Sequence, residues 1–251
     1  MPKQNSEIIE RLSLQRNIFG DELFLPKLPE TEYKIASPIE IEPMRNEKST
    51  EKYNSESINI TTDFPEAGTL AEFNSLICNC QLCPLGATRN KFVFGVGNPL
   101  SKVMLIGEGP GADEDEQGEP FVGRAGKLLN DILAAIKFTR EDIYIANIVK
   151  CRPPENRKPL PTEIEKCIPY LYKQIELINP QLILCLGATA SEALLNLQGT
   201  LKSMRLKEYK VGNAIAMVTY HPAALLRNPA FKKDCWEDVQ IFRNKYDNLN
   251  K

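Results

Sequence analysis

Several features that would assign a function quickly are missing from this 251-residue chain. No apolar run approaches the roughly 18–20 residues that a membrane-spanning helix needs, which excludes a helical span. The opening residues, Met1-Pro2-Lys3-Gln4-Asn5, lack the apolar stretch of a secretory signal, so a cytoplasmic, reducing compartment is expected. In that compartment the seven cysteines point to metal or cluster ligation rather than disulfides. The glycine-rich segment Gly107-Glu108-Gly109-Pro110-Gly111 is neither G-x-G-x-x-G nor a Walker loop with its lysine, which argues against a nucleotide cofactor. A second short cysteine knuckle is absent, and with it the usual zinc ribbon. Histidine is nearly absent too: His221 stands alone.

What is present divides in two. Up to Leu70 there are 8 Lys/Arg against 13 Asp/Glu, and beyond it 23 against 20, so an acidic leading segment precedes a mildly basic body. Residues 1–68 are polar, with scattered prolines and the run Asn46 to Lys52 lacking any apolar member, so a low-order extension is expected. Within it, Ile8 to Leu12 makes a short amphipathic patch to which no function is assigned. With 42% hydrophobic residues, the whole chain can hold one full core plus a tail or a small second domain, and residues 69–251 are expected to form the folded domain. The small positive balance of the body permits nucleic-acid binding without requiring it.

Thr69 is a plausible cap for a helix through Ala71, Phe73, Leu76 and Ile77. Lys102 to Ile106 reads as a buried strand ending in the glycine turn. The acidic run Asp113 to Glu116 reads as a solvated loop. Phe121 sits in a glycine-rich loop, where an aromatic either plugs a core edge or offers a flat face for stacking a base. A helix from Lys127 to Ile136 follows, then the alternating strand Tyr144 to Val149. There Ile145, Asn147 and Val149 point one way and Tyr144, Ala146 and Ile148 the other. Asn147 is thus a polar group in a core-facing row, held either by a structural hydrogen bond or by a ligand. Helix Glu163 to Ile178, strand Gln181 to Leu186, helix Ala188 to Leu197, strand Ala214 to Thr219 and a terminal helix around Trp236 to Phe242 complete the pattern. Strands alternating with helices define an α/β fold, a three-layer sandwich around a mostly parallel sheet. His221 follows the last strand, where open sheets place their ligands.

Four thiols form a set: Cys80 and Cys83 as C-x2-C, then Cys151 after a strand and Cys167 on the next helix. One knuckle and two dispersed thiols suit a four-cysteine iron-sulfur cluster better than zinc, which stays open. Cys78 competes with Cys80, while Cys185 and Cys235 read as core residues.

Taken together, four segments carry a resemblance: Gly107 to Gly111, Pro120 to Gly123, Asn147 to Pro154 and His221 to Pro229. Over roughly Leu76 to Asn244 the chain resembles the family 4 uracil-DNA glycosylases, the iron-sulfur branch of the uracil-DNA glycosylase superfamily. The resemblance implies a [4Fe-4S] cluster on Cys80, Cys83, Cys151 and Cys167, and a uracil pocket of Gly107, Gly109, Phe121, Asn147 and His221. It implies hydrolysis of the N-glycosidic bond of uracil in single- or double-stranded DNA, leaving an abasic site, by a monomeric enzyme. His221 would stabilise the departing base. The better-known branch has an aspartate where this chain has Gly109, so Glu108 is the candidate for positioning water. Leu225 or Leu226 would wedge into the vacated base site and Arg227 would contact phosphate. A branch that links covalently to DNA carries a histidine-containing insertion after the Asn strand; Pro153 to Pro159 has none, which favours turnover. The rival from another class is a non-catalytic nucleic-acid-binding replication accessory with a structural cluster.

Overall fold

The computed structural model describes Ser13, Arg16, Ile18 and residues 67–250. The three isolated residues are helical, and Ile18 is buried in the domain core. The other expectations for residues 1–66, including the patch Ile8 to Leu12, lie outside the described residues.

Helix α1, Leu70–Ile77, begins as its sequence requires. Thr69 Oγ1 accepts from Glu72 N, and the Glu72 carboxylate accepts from Thr69 N, a reciprocal capping box that satisfies two otherwise orphaned donors. Helix α2 is the short Leu85–Thr88, beside the cysteine knuckle.

Six strands form one sheet: β1 Val96–Gly97, β2 Val103–Gly107, β3 Tyr144–Asn147, β4 Leu182–Leu186, β5 Tyr209–Val211 and β6 Ala214–Thr219. Their spatial order is β1-β3-β2-β4-β6-β5. The central four are parallel, and β1 and β5 add antiparallel edges. Every residue of β2, β3 and β4 is buried, as expected of parallel strands covered on both faces. Alternate side chains supply two core layers. Met104, Ile106, Tyr144, Ala146, Ile183 and Cys185 pack with α1 and with α5, Pro161–Ile178. Val103, Leu105, Ile145, Leu182, Leu184 and Met217 pack with α4, Arg124–Ala135, and with the long terminal helix α9, Phe231–Leu249.

The chain leaves β2 for β3 on one side and then returns to β4 on the other. This topological switch opens a crevice beyond the C-terminal ends of the strands. Helices α3 Ala112–Gln117, α6 Ala188–Leu195, α7 Leu201–Met204 and α8 Pro222–Arg227 gather near this end.

Three expectations need correction. The acidic run is helix α3 rather than a solvated loop, and Asp115, 1% exposed, accepts from Asn90 N and Lys91 N. Strand β3 ends at Asn147, and because alternation stops there Val149 joins the layer of Ile148 instead of that of Ile145. The terminal helix is far longer than Trp236 to Phe242.

Candidate functional site

The crevice is a cavity of about 610 Å³. Its walls come from the segments that follow the four parallel strands: Glu108 to Gly111 after β2, Asn147 at the end of β3, Gly187 to Thr189 after β4, and Tyr220 and His221 after β6. Phe121 enters from the loop between α3 and α4.

Asn147 is 2% exposed, and its Oδ1 has no hydrogen-bond partner. A buried, unanswered acceptor costs roughly 1–3 kcal/mol, a penalty that a bound donor would relieve. Gly107 lies opposite it in the sheet register. A side chain at Gly107 would meet Phe121 Cζ at 2.7 Å and collide with Asn147 Oδ1, so only glycine leaves the ring and the amide their places. Gly109 is constrained similarly, since a Cβ would meet Val149 Cγ2 at 2.6 Å.

Phe121 has φ of 55°, a left-handed conformation that is strained for an aromatic residue. Its surroundings enforce it. Arg140 donates to the Phe121 and Pro120 carbonyls at 3.0 and 2.7 Å, and Glu114 accepts from Val122 N and Gly123 N at 2.9 and 3.0 Å. Glu114 also accepts from Gly111 N at 3.1 Å, clasping the glycine turn to the Phe121 loop. The Phe121 ring lies 5.4 Å from the His221 ring, tilted by 31°. Because Glu114→Ala would strand three backbone N–H groups, it should lower the stability by about 2 kcal/mol, read as a melting temperature lower by roughly 4–8 °C.

His221 caps α8: its Nδ1 accepts from Ala223 N at 3.1 Å. An accepting Nδ1 carries no proton, so in the neutral ring the proton sits on Nε2 as a donor. Burial, aided by the nearby Arg227 charge, pushes the His221 pKa down to about 4, leaving the ring neutral at pH 7. The turn behind it is fixed by Thr219 Oγ1 and Arg205 Nε, both donating to the buried Asp238 at 2.7 Å, and by Tyr220 stacked on Phe231 at 4.5 Å.

Glu108 lines the cavity, as does Arg227. The two leucines separate: Leu225 is 0% exposed and part of the core, so it is removed as a wedge candidate, whereas Leu226 is 42% exposed.

The four predicted thiols share one region. Cys80 and Cys83 pack at the edge of the core layer that contains Cys151 and Cys167. Cys151 feels the thiols of Cys83 and Cys80, and Cys167 those of Cys151 and Cys83. Donors are directed at sulfur: Arg89 Nη1 to Cys151 at 3.3 Å, the Tyr170 hydroxyl to Cys80 at 3.2 Å, Lys150 N to Cys167 at 3.3 Å and Leu82 N to Cys80 at 3.4 Å. Burial raises the Cys151 thiol to about 11 and Cys167 to about 12. Such sulfurs ionise readily only when a cation binds them, whereas the surrounding donors already suit thiolate. The Cys78 thiol lies 3.7 Å from Ser75 O of the preceding helix. Among the described residues no three Cys, His, Asp or Glu are grouped to grip a single ion. Arg157 pairs bidentately with the buried Glu163, at 2.9 and 2.7 Å, tying the Arg152 to Arg157 turn to α5, which carries Cys167.

Glu114, Arg140, Arg89 and Tyr170 were not foreseen from the sequence. Apart from Gly111, three residues from Glu114, the partners named above lie 8 to 90 residues away, and the only local signal was the acidic run itself.

The domain is doubly wound α/β, and its crevice sets an aromatic ring, an unsatisfied amide and a neutral imidazole around one space, an arrangement with the shape and polarity to receive a flat polar ring. The chain belongs to the uracil DNA glycosylase superfamily, whose sequence model matches residues 94–240. Among its relatives is a type-4 uracil-DNA glycosylase of Archaeoglobus fulgidus, 45% identical over 172 residues, covering 65% of this chain and 86% of the relative. That of Pyrobaculum aerophilum is 42% identical over 181 residues, 69% of this chain and 92% of the relative. That of Thermotoga maritima is 44% identical over 171 residues, 64% and 86% respectively. None of the helices among the described residues is long and apolar enough to cross a membrane.

Proposed function

We propose that this protein removes uracil from DNA, hydrolysing the N-glycosidic bond and leaving an abasic site. The observation that carries the reading is the buried, unpartnered Oδ1 of Asn147 in a cavity shared with Phe121 and His221. An amide offers an acceptor for uracil N3–H and a donor for O4; cytosine presents the opposite pattern and leaves both groups unpaired. A base within a duplex is out of reach, so the nucleotide is extruded, which favours weakly paired uracil. Phe121 stacks on the extruded ring. The C1′–N1 bond breaks with its electron pair passing to the base, and the Nε2–H of neutral His221 stabilises the anion at O2. Water adds to C1′ and gives up a proton, and the base leaves as free uracil after taking one up. Glu108 orients that water or the sugar cation from the cavity wall. Leu226 fills the vacated stack and Arg227 binds phosphate.

Residues 69–251 supply all of these groups, and the acidic segment 1–68 contributes Ile18 to their core. Cys80, Cys83, Cys151 and Cys167 would hold a [4Fe-4S] cluster, favoured by their place in one core layer and by the donors directed at their sulfurs. Through these residues a bound cluster would tie the knuckle to the segment after β3 and to α5. A reducing compartment such as the cytoplasm keeps those thiols available.

The test is incubation of a uracil-containing oligonucleotide with the full chain, followed by alkali and assay of free uracil. Strand cleavage with one uracil released per cut is expected; binding without release would favour the non-catalytic accessory. Glu108→Gln should reduce kcat at least 100-fold while leaving oligonucleotide affinity within about twofold, as measured by fluorescence anisotropy. Near-normal turnover would remove Glu108 from the mechanism.

A further inference from the structure

We infer that Lys150 is a positioning residue linking the thiol centre to the base-reading Asn147, an inference that rests on the function proposed above. Its side chain is fully buried, 0% exposed. The ammonium donates to the Asn147 carbonyl at 2.9 Å and to Gln174 Oε1 at 2.5 Å, and Gln174 is itself fixed by donating to Phe94 O at 2.9 Å. Neither acceptor is a carboxylate. The backbone of the same residue donates to Cys167 Sγ at 3.3 Å, and the next residue is Cys151.

Lys150 therefore touches both sites at once. One end is fastened to sulfur through the main chain; the other folds back three residues to hold the carbonyl of Asn147, whose side chain lines the cavity. Asn147 is also registered against Gly107 on β2. Its amide is thus oriented by the sheet on one side and by the thiol loop, through Lys150, on the other. Loosening that second hold should weaken recognition of the base rather than the bond-breaking step, because His221 and Glu108 stand on other elements.

The experiment uses the full-length iron-loaded protein with Lys150→Met and Lys150→Arg. It measures iron per chain, absorption near 400 nm, iron loss to a chelator, the Kd of free uracil by equilibrium dialysis, and KM and kcat. Lys150→Met should keep its iron and visible band, release iron several-fold faster, and bind uracil about tenfold more weakly. KM should rise in parallel with kcat nearly unchanged, and Lys150→Arg should recover part of both effects. Unchanged uracil affinity with iron intact, or a fall in kcat alone, would overturn the inference. Unchanged iron release would overturn the link to the thiol centre. If Lys150→Met fails to fold or to load iron, Gln174→Leu, which removes an acceptor outside the thiol loop, should weaken uracil binding about threefold; wild-type affinity there overturns the inference. Iron-loaded wild type that neither binds nor excises uracil would overturn both readings, whereas active wild type with unaltered variants would overturn only this one.

Discussion

Asn147→Ala should lower kcat/KM for uracil excision by about 10³-fold, roughly 4 kcal/mol of transition-state stabilisation, with almost no change in melting temperature. A residue buried to 2% exposure would ordinarily be expected to destabilise the fold when truncated. Two features oppose that here. Asn147 Oδ1 has no partner, so its removal relieves a penalty of roughly 1–3 kcal/mol. The space left opens into an existing cavity rather than creating a sealed void, so little packing is lost. The Asn147 carbonyl, which accepts from Lys150, is retained. The melting temperature should stay within about 3 °C of wild type by calorimetry. A large drop would mean that Asn147 is a structural hydrogen-bonding residue, the alternative its place in a strand leaves open. Asn147→Asp should also lose uracil binding, because a carboxylate cannot donate to O4.

For His221, two substitutions should separate its roles. His221→Asn can retain an oxygen for the Ala223 N–H and so preserve the cap on α8, but it lacks the reach of Nε2–H; kcat should fall about 10²–10³-fold at near-native stability. His221→Ala loses the same rate and in addition about 1 kcal/mol of stability with the cap. The pH dependence follows from the lowered pKa of about 4. The unfolded chain, with an ordinary histidine near 6.5, takes up a proton first as pH falls, so its population is favoured between these values. The stability associated with neutral His221 is therefore complete above about pH 6.5 and is lost as pH falls toward 4. The kcat profile should show no inflection near pH 6.5, since the ring stays neutral through that range. An inflection there that vanishes in His221→Asn would show that the imidazolium takes part.

Much of this was readable in the residues, and the exceptions have physical causes. The apolar run Tyr144 to Ile148, broken only by Asn147, marked β3 because both faces of a parallel strand are buried, and Thr69 with Glu72 marked the start of α1 because a capping box is local. The edge strands β1 and β5 span only two and three residues, too few to establish a period. The terminal helix looked short because much of Phe231–Leu249 is charged, with Cys235, Asp238, Val239 and Phe242 as its buried residues. Spacing grouped the four thiols, but it could not show that Tyr170 donates to Cys80 while the Cys78 thiol lies against Ser75 O. The glycine turn, Phe121, Asn147 and His221 could be named individually, yet no periodicity shows that Arg140 holds the Phe121 loop or that Glu114 joins it to the turn. Leu225 and Leu226 are chemically alike in sequence; the helical turn of α8 buries one and exposes the other.

The most direct measurement is single-turnover excision on two oligonucleotides that differ only in carrying uracil or cytosine at one position. If the pocket of Phe121, Asn147 and His221 reads uracil, the uracil strand becomes fully alkali-labile with release of the free base, while the cytosine strand stays intact over the same time. Absence of cleavage at uracil, or equal cleavage at both bases, would contradict it.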